Sequence, residues 1–201
     1  ELYATGAAEA AARAAGAEHI VFMVFGSGKR TNTIVGRPTE KVIREGDMMM
    51  AAFAVQYEGY VSTVEFPFVA GGEPSVEQRE LIDALIMAED KALKKLGPGI
   101  KAREFVKVVK DNFKEKGMTK YDLYPPLHGC GCAEAESPYP DGRSEIVFQA
   151  GMTVNTDVSL FGHPAGSNRI EEGFAITETG IEPLSKLVRR LSGEWLRKRE
   201  T

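Results

Sequence analysis

Residues 48–69 read Met48-Met49-Met50-Ala51-Ala52-Phe53-Ala54-Val55-Gln56-Tyr57-Glu58-Gly59-Tyr60-Val61-Ser62-Thr63-Val64-Glu65-Phe66-Pro67-Phe68-Val69. Two apolar runs of strand type, 48–56 and 61–69, flank a short turn at Tyr57-Glu58-Gly59-Tyr60. Strands joined this closely pair antiparallel. Side chains two apart on a strand share a face, so Thr63 and Glu65 point the same way. Gly46-Asp47 launches the unit, and Gly71, Gly72 and Pro74 close it.

Behind the hairpin, Ser75-Val76-Glu77-Gln78 has the form of a capping box. Leu81, Ile82, Leu85, Ala88, Ala92 and Leu96 then recur at the helical period, and Gly97-Pro98-Gly99 ends the run. Phe105, Val109 and Phe113 predict a second helix, ending at Gly117. Residues 125–140 contain four prolines and read as a loop around His128. Strands are predicted over 146–148, 153–160 and 174–177, and a terminal helix over 184–199. Ahead of the hairpin, 7–15 predicts a helix and 20–25 a strand. Gly26-Ser27-Gly28-Lys29-Arg30-Thr31 lacks both the leading glycine (Met23) and the hydroxyl after the lysine (Arg30) of a phosphate loop, so it reads as a turn.

The 201 residues fit one domain, with 43% hydrophobic and 27% charged residues. Formal net charge is -4, so the chain as a whole has no basic character to attract a phosphate backbone, and the basic run from Lys186 to Arg199 reads as a solvated helix face; nucleic acid is not expected as a partner. No apolar run reaches the length of a membrane span, so no membrane partner is expected. The only cysteines, Cys130 and Cys132, supply too few ligands for a structural zinc site and suit a reducing compartment. The expected location is therefore cytoplasmic.

Nine short landmarks follow one another in a telling order: Gly36-Arg37-Pro38-Thr39, Gly46-Asp47, Glu58-Gly59-Tyr60-Val61-Ser62, Leu96-Gly97-Pro98-Gly99, His128-Gly129-Cys130-Gly131, Glu136-Ser137-Pro138, Gly151-Met152, Arg169-Ile170-Glu171-Glu172 and Thr177-Glu178-Thr179-Gly180-Ile181-Glu182-Pro183-Leu184-Ser185. In order and spacing this set resembles the creatinase/methionine-aminopeptidase/prolidase, or pita-bread, family. The resemblance implies an α+β fold with helices covering a curved, mostly antiparallel sheet. It spans the chain as a single domain, 1–201, and is vaguest before Ser27. It also implies a homodimer and a further domain upstream of Glu1.

Most members of that family hold two metals with two hairpin aspartates, a histidine and two late glutamates, and a metal-bridging hydroxide attacks an amide. Carried onto this chain, the aspartates fall at Ala52 and Thr63, the histidine at His128, and the glutamates at Asp157 and Glu171. Three donors remain where five are needed. They suffice at most for a single divalent metal; the expectation is no resident cofactor. Creatinase-like members also lack both aspartates and carry a glutamate at the position of Glu65, but their histidine base falls here at Val35.

The resemblance therefore implies His128, Asp157 and Glu171 as catalytic residues, with Glu65 and Thr63 toward the substrate; His163, on the loop after the Asp157 strand, is expected at the pocket rim and is grouped with them. An imidazole suits a general base, and Asp157 or Glu171 would orient it. The expected activity is that of a creatinase- or Xaa-Pro-peptidase-like hydrolase or lyase acting on a small amide- or guanidinium-like molecule, without a dinuclear centre; the expected partner is such a small cationic or amide-containing molecule. Two alternatives stand beside it: an inactive domain kept for ligand or protein binding, and a metal-dependent aminopeptidase or prolidase. Clustered carboxylates imply a cation-seeking pocket, into which Ala52 opens volume.

Overall fold

The computed structural model describes residues 1–198. Helix α1 (Leu2–Ala14) leads into strand β1 (His19–Ser27), which pairs antiparallel with β2 (Met48–Tyr57). The turn at Glu58 and Gly59, both at positive φ, returns the chain as β3 (Tyr60–Val64). The run predicted over 61–69 breaks around Pro67, which has no N–H to donate, and resumes as β4 (Phe68–Val69) against the start of β2. A second four-stranded sheet takes the order β5 (Leu127–Gly129), β6 (Thr153–His163), β7 (Gly166–Ile176) and β8 (Ile181–Pro183). All pairings in both sheets are antiparallel.

The helices are α2 (Val76–Leu93), α3 (Ala102–Glu115) and α4 (Lys186–Arg197). The capping box at α2 is formed: Ser75 Oγ accepts from the Gln78 N–H, and Gln78 Oε1 accepts from the Ser75 N–H. The periodic residues Leu81, Ile82, Leu85, Ala88 and Ala92 are buried with Phe105, Val109 and Phe113 of α3 against Val154, Val158, Ile170 and Phe174 of the second sheet. Each large side chain buried this way contributes about 1.5–3 kcal/mol.

Several boundaries differ from expectation. The residues predicted as strand 146–148 form a single bridge between Val147 and Lys101. The proline-rich loop contains β5, and β7 begins eight residues earlier than the predicted 174–177, so Arg169 and Glu171 lie on a strand. Helix α1 begins at Leu2 rather than Ala7. The terminal helix ends at Arg197, and position 199 of that expectation lies outside the described residues. The expected α+β fold with helices over antiparallel sheet is present, its sheet built as two four-stranded parts joined where Glu65 and Glu171 bridge.

Candidate functional site

The bridge between the sheets fixes the centre of the site. The Glu65 N–H donates to the Glu171 carbonyl and the Glu171 N–H to the Glu65 carbonyl, both at 3.0 Å. On the next strand Asp157 stands opposite Glu171. Two residues before Glu171, and therefore on its face of β7, is Arg169. Its Nε lies 3.2 Å from Glu65 Oε2, and its Nη1 lies 3.3 Å from Glu171 Oε1 and 3.9 Å from Asp157 Oδ2. Nη2 donates to the Ile34 carbonyl at 2.6 Å, and the guanidinium sits 5.2 Å over the Phe161 ring. The Tyr124 hydroxyl donates to Asp157 Oδ1 at 3.2 Å.

Burial presses every acid here toward its neutral form. Glu65 is pushed up to about 8 by burial, with Asp157 adding to the effect and Arg169 opposing it. Glu171 is raised well above the usual carboxylate range by burial and then by Asp157. Burial also raises Asp157. Burial works against the Arg169 charge, but Glu65, Glu171 and Asp157 outweigh it and hold that pKa above its ordinary value. One cation thus faces three acids, and the surplus negative charge is relieved by protons. Tyr124 stays a hydroxyl, raised first by burial and then by Asp157.

His128 belongs to a second group. Its Nδ1 faces the Gly129 carbonyl at 2.9 Å; a carbonyl only accepts, so Nδ1 carries the hydrogen and Nε2 is the atom left to exchange a proton. Nε2 lies 3.8 Å from Glu134 Oε1, to which the Thr63 hydroxyl donates at 3.3 Å. Glycine makes this possible: a Cβ at Gly129 would meet the Ser137 carbonyl oxygen at 2.4 Å. The Gly129 N–H donates to the carbonyls of Glu136 and Pro138, and the Gly131 carbonyl accepts from Val61 of the hairpin. That fold-back carries Glu134 over His128.

A cavity of about 790 Å³ opens onto both groups. His128, Glu134, Asp157, Arg169 and Glu171 line it, together with Arg37 and an apolar wall that includes Phe22, Leu127 and Tyr139. Of the residues expected from sequence, His128, Asp157 and Glu171 share this cavity, while Glu65 lies behind Arg169. Thr63 is turned to Glu134 and is not in the cavity wall. His163 takes no part: it ends β6, accepts from the Ala165 N–H and packs edge-on against Tyr121. The orienting partner expected for His128 was Asp157 or Glu171; Glu134 takes that place beside its Nε2, and Asp157 is committed to Tyr124 and Arg169. Ala52 opens no volume, being buried among Val24, Met50 and Phe161. The cation-seeking centre is satisfied by the protein's own guanidinium.

Sequence reading missed Arg169, Glu134 and Tyr124. Arg169 carries the clearest signal, a basic residue at i-2 from a buried strand carboxylate.

A divalent metal does not fit this donor set. Ala52 has no ligand atom, the Thr63 hydroxyl is given to Glu134, and Asp157 and Glu171 meet Arg169. Among the described residues no three His, Cys, Asp or Glu side chains are grouped to hold a metal ion.

Comparison with known proteins gives a consistent relationship. The model of metallopeptidase family M24 matches residues 1–178. An uncharacterised peptidase of Bacillus subtilis is 30% identical over 169 residues, 84% of this chain and 48% of that protein. The Xaa-Pro dipeptidase of Pyrococcus furiosus is 29% identical over 177 residues, 88% of this chain and 51% of the relative. The crystal structure of the prolidase from Pyrococcus horikoshii superposes with a TM-score of 0.81 at 28% identity, covering 87% of this chain and 50% of that one. The chain thus spans about half the length of the curated relatives it matches.

Proposed function

The chain belongs to metallopeptidase family M24, and from that premise we propose that it carries the catalytic site of a peptidase-like hydrolase that cleaves an amide bond in a small molecule without a dinuclear metal centre. The observation that carries the reading is the Thr63–Glu134–His128 chain of contacts at a cavity wall shared with Arg169. The cavity suits a ligand of dipeptide size. A guanidinium substrate is a poorer fit than an amide, because Arg169 already holds the carboxylates such a substrate would seek.

In this reading His128 Nε2 takes a proton from water as the water oxygen bonds to the amide carbon. Glu134 steadies the imidazolium, and Thr63 holds Glu134. His128 then gives the proton to the leaving nitrogen as the C–N bond breaks.

The test is hydrolysis of a panel of Xaa-Pro dipeptides and other small amides by chelator-treated protein, followed by mass spectrometry. Turnover should survive chelation, and His128→Ala should lower kcat/KM by about 10²-fold or more. Turnover that appears only on adding manganese or cobalt, and is indifferent to His128, would favour the metal-dependent alternative. Binding of these amides without cleavage would favour a binding domain.

A further inference from the structure

Strand β6 turns alternate side chains to opposite faces. Thr156 points to α2, where its hydroxyl meets Glu89, so Asn155 and Asp157 point the other way, toward the site. Asn155 stands directly opposite His128 of β5 on one side and Gly173 of β7 on the other. Opposite residues of an antiparallel pair share a face, with Cβ atoms roughly 4.5–5.5 Å apart. Asn155 is therefore the immediate neighbour of the imidazole. It is 1% exposed, and neither Nδ2 nor Oδ1 has a partner among the described residues. A buried carboxamide in that condition lowers stability and calls for an explanation.

The surroundings leave this amide one polar direction. On the Gly173 flank a Cβ would stand 2.7 Å from Leu184 Cδ1, so a leucine methyl covers that side. Along β6, the Thr153 hydroxyl is given to the Cys130 carbonyl, and Asp157 is held by Tyr124 and Arg169. On the remaining flank is His128, whose Nε2 lone pair is free because Nδ1 carries the hydrogen. Glu134 Oε1 stands 3.8 Å from that nitrogen, too far for a direct hydrogen bond and close enough for one water to bond both. A buried water needs two to four polar partners. Three converge here: an acceptor on His128, an acceptor on Glu134 and a donor on Asn155.

We propose that Asn155 is a positioning residue whose Nδ2–H donates to a water molecule that gives its two hydrogens to His128 Nε2 and Glu134 Oε1. One lone pair of that water is then left over, beside the cavity that His128 and Glu134 line. Holding the water requires no reaction. That it is the water that attacks the amide carbon rests on the hydrolase reading. In that step one of its hydrogens passes to His128 Nε2 as the oxygen–carbon bond forms, and Asn155 neither gains nor loses a proton.

The experiment compares the full wild-type chain with Asn155→Leu, which keeps the volume and removes the amide; if that variant does not fold, Asn155→Val is measured instead. Water–protein NOE and ROE spectra of labelled protein detect a long-lived water without any substrate. In the wild type, the carbon-bound ring protons of His128 and the amide protons of Asn155 should show water NOEs of the long-lived sign, and the His128 signals should be lost in the variant. The melting temperature should stay within about 3 °C, because no protein hydrogen bond is broken. With any amide that the wild type cleaves, kcat should fall at least tenfold in the variant while KM stays within about twofold. A wild type that cleaves no amide removes the hydrolase reading and leaves the water signals to decide this one. Absence of a long-lived water at His128 in the wild type, an unchanged water signal in the folded variant, or an unchanged kcat where turnover exists overturns the proposal.

Discussion

Glu65 and Glu171 belong to different sheets, yet they exchange both backbone hydrogen bonds and end their side chains on one guanidinium. The seam between the halves of the fold is therefore also the electrostatic centre of the site. Mutating either residue perturbs a joint as well as a charge, which shapes what each experiment can report.

The first prediction concerns pH. Glu65 titrates near 8 and Glu172 near 9 in the folded protein, both raised mainly by burial. A folded state that holds protons the unfolded chain has released loses stability as pH rises. That stability is fully present below the ordinary carboxylate range and is lost as pH climbs through about 8 to 9. Melting temperature should fall between pH 5 and pH 9, and Glu65→Gln, which mimics the protonated acid, should flatten the fall. A melting temperature that rises across this interval would contradict the assignment.

A second ionic cluster lies on the opposite face of β7. Arg189 of α4 contacts Glu89 and Glu172, and Glu89 also accepts from the Thr156 hydroxyl at 2.6 Å. Both glutamates are fully buried. Arg189→Met leaves two buried acids without a counter-charge and should lower stability in chemical denaturation, more at pH 9 than at pH 6, with α4 loosened first. A loss within about 0.5 kcal/mol would show that α4 is held by packing alone.

The two thiols should behave differently. Cys130 is buried and its thiol is pushed up to about 11, first by burial, whereas Cys132 is exposed. At pH 7.5 an alkylating reagent should modify Cys132 quickly and Cys130 only on unfolding. Replacing both by serine should change stability by about 1–2 kcal/mol and release no zinc. Rapid labelling of Cys130 in the native protein would show that the loop after β5 opens.

Gly129→Ala tests the fold-back that brings Glu134 to His128. The added methyl meets backbone rather than a movable side chain. Stability should fall by roughly 1–3 kcal/mol, and in the folded fraction the His128 ring resonances should shift as Glu134 moves away. An unchanged imidazole environment would remove Gly129 from the account of the site.

How much of this was legible beforehand depends on the range of the signal. The capping box at Ser75, the helix stripes and the hairpin turn are local, and each appears where the residues put it. His128, Asp157 and Glu171 could be found because the landmarks around them hold their order. Arg169 lies within such a landmark, but its role depends on three acids gathered from distant parts of the chain. Glu134 was hidden for another reason. It lies in a loop without periodicity, and only the close passage of residues 136–138 past Gly129 determines which way it turns. His163 shows the opposite error: a histidine after a promising strand, carried by the β6–β7 hairpin away from the cavity to Tyr121.

Strand β7 is buried on both sides, and its neighbouring acids serve different masters: Glu171 faces Arg169, and Glu172 faces Arg189. The strand consequently tolerates a change of letter far better than a change of count. Adding one residue between Ile170 and Glu171 would reverse the upstream part of the strand relative to its downstream part. Ile170 would turn toward the carboxylates and Arg169 toward the apolar layer under α2. Conservative single replacements along β7 should give graded losses, whereas a single codon gained there should abolish the fold.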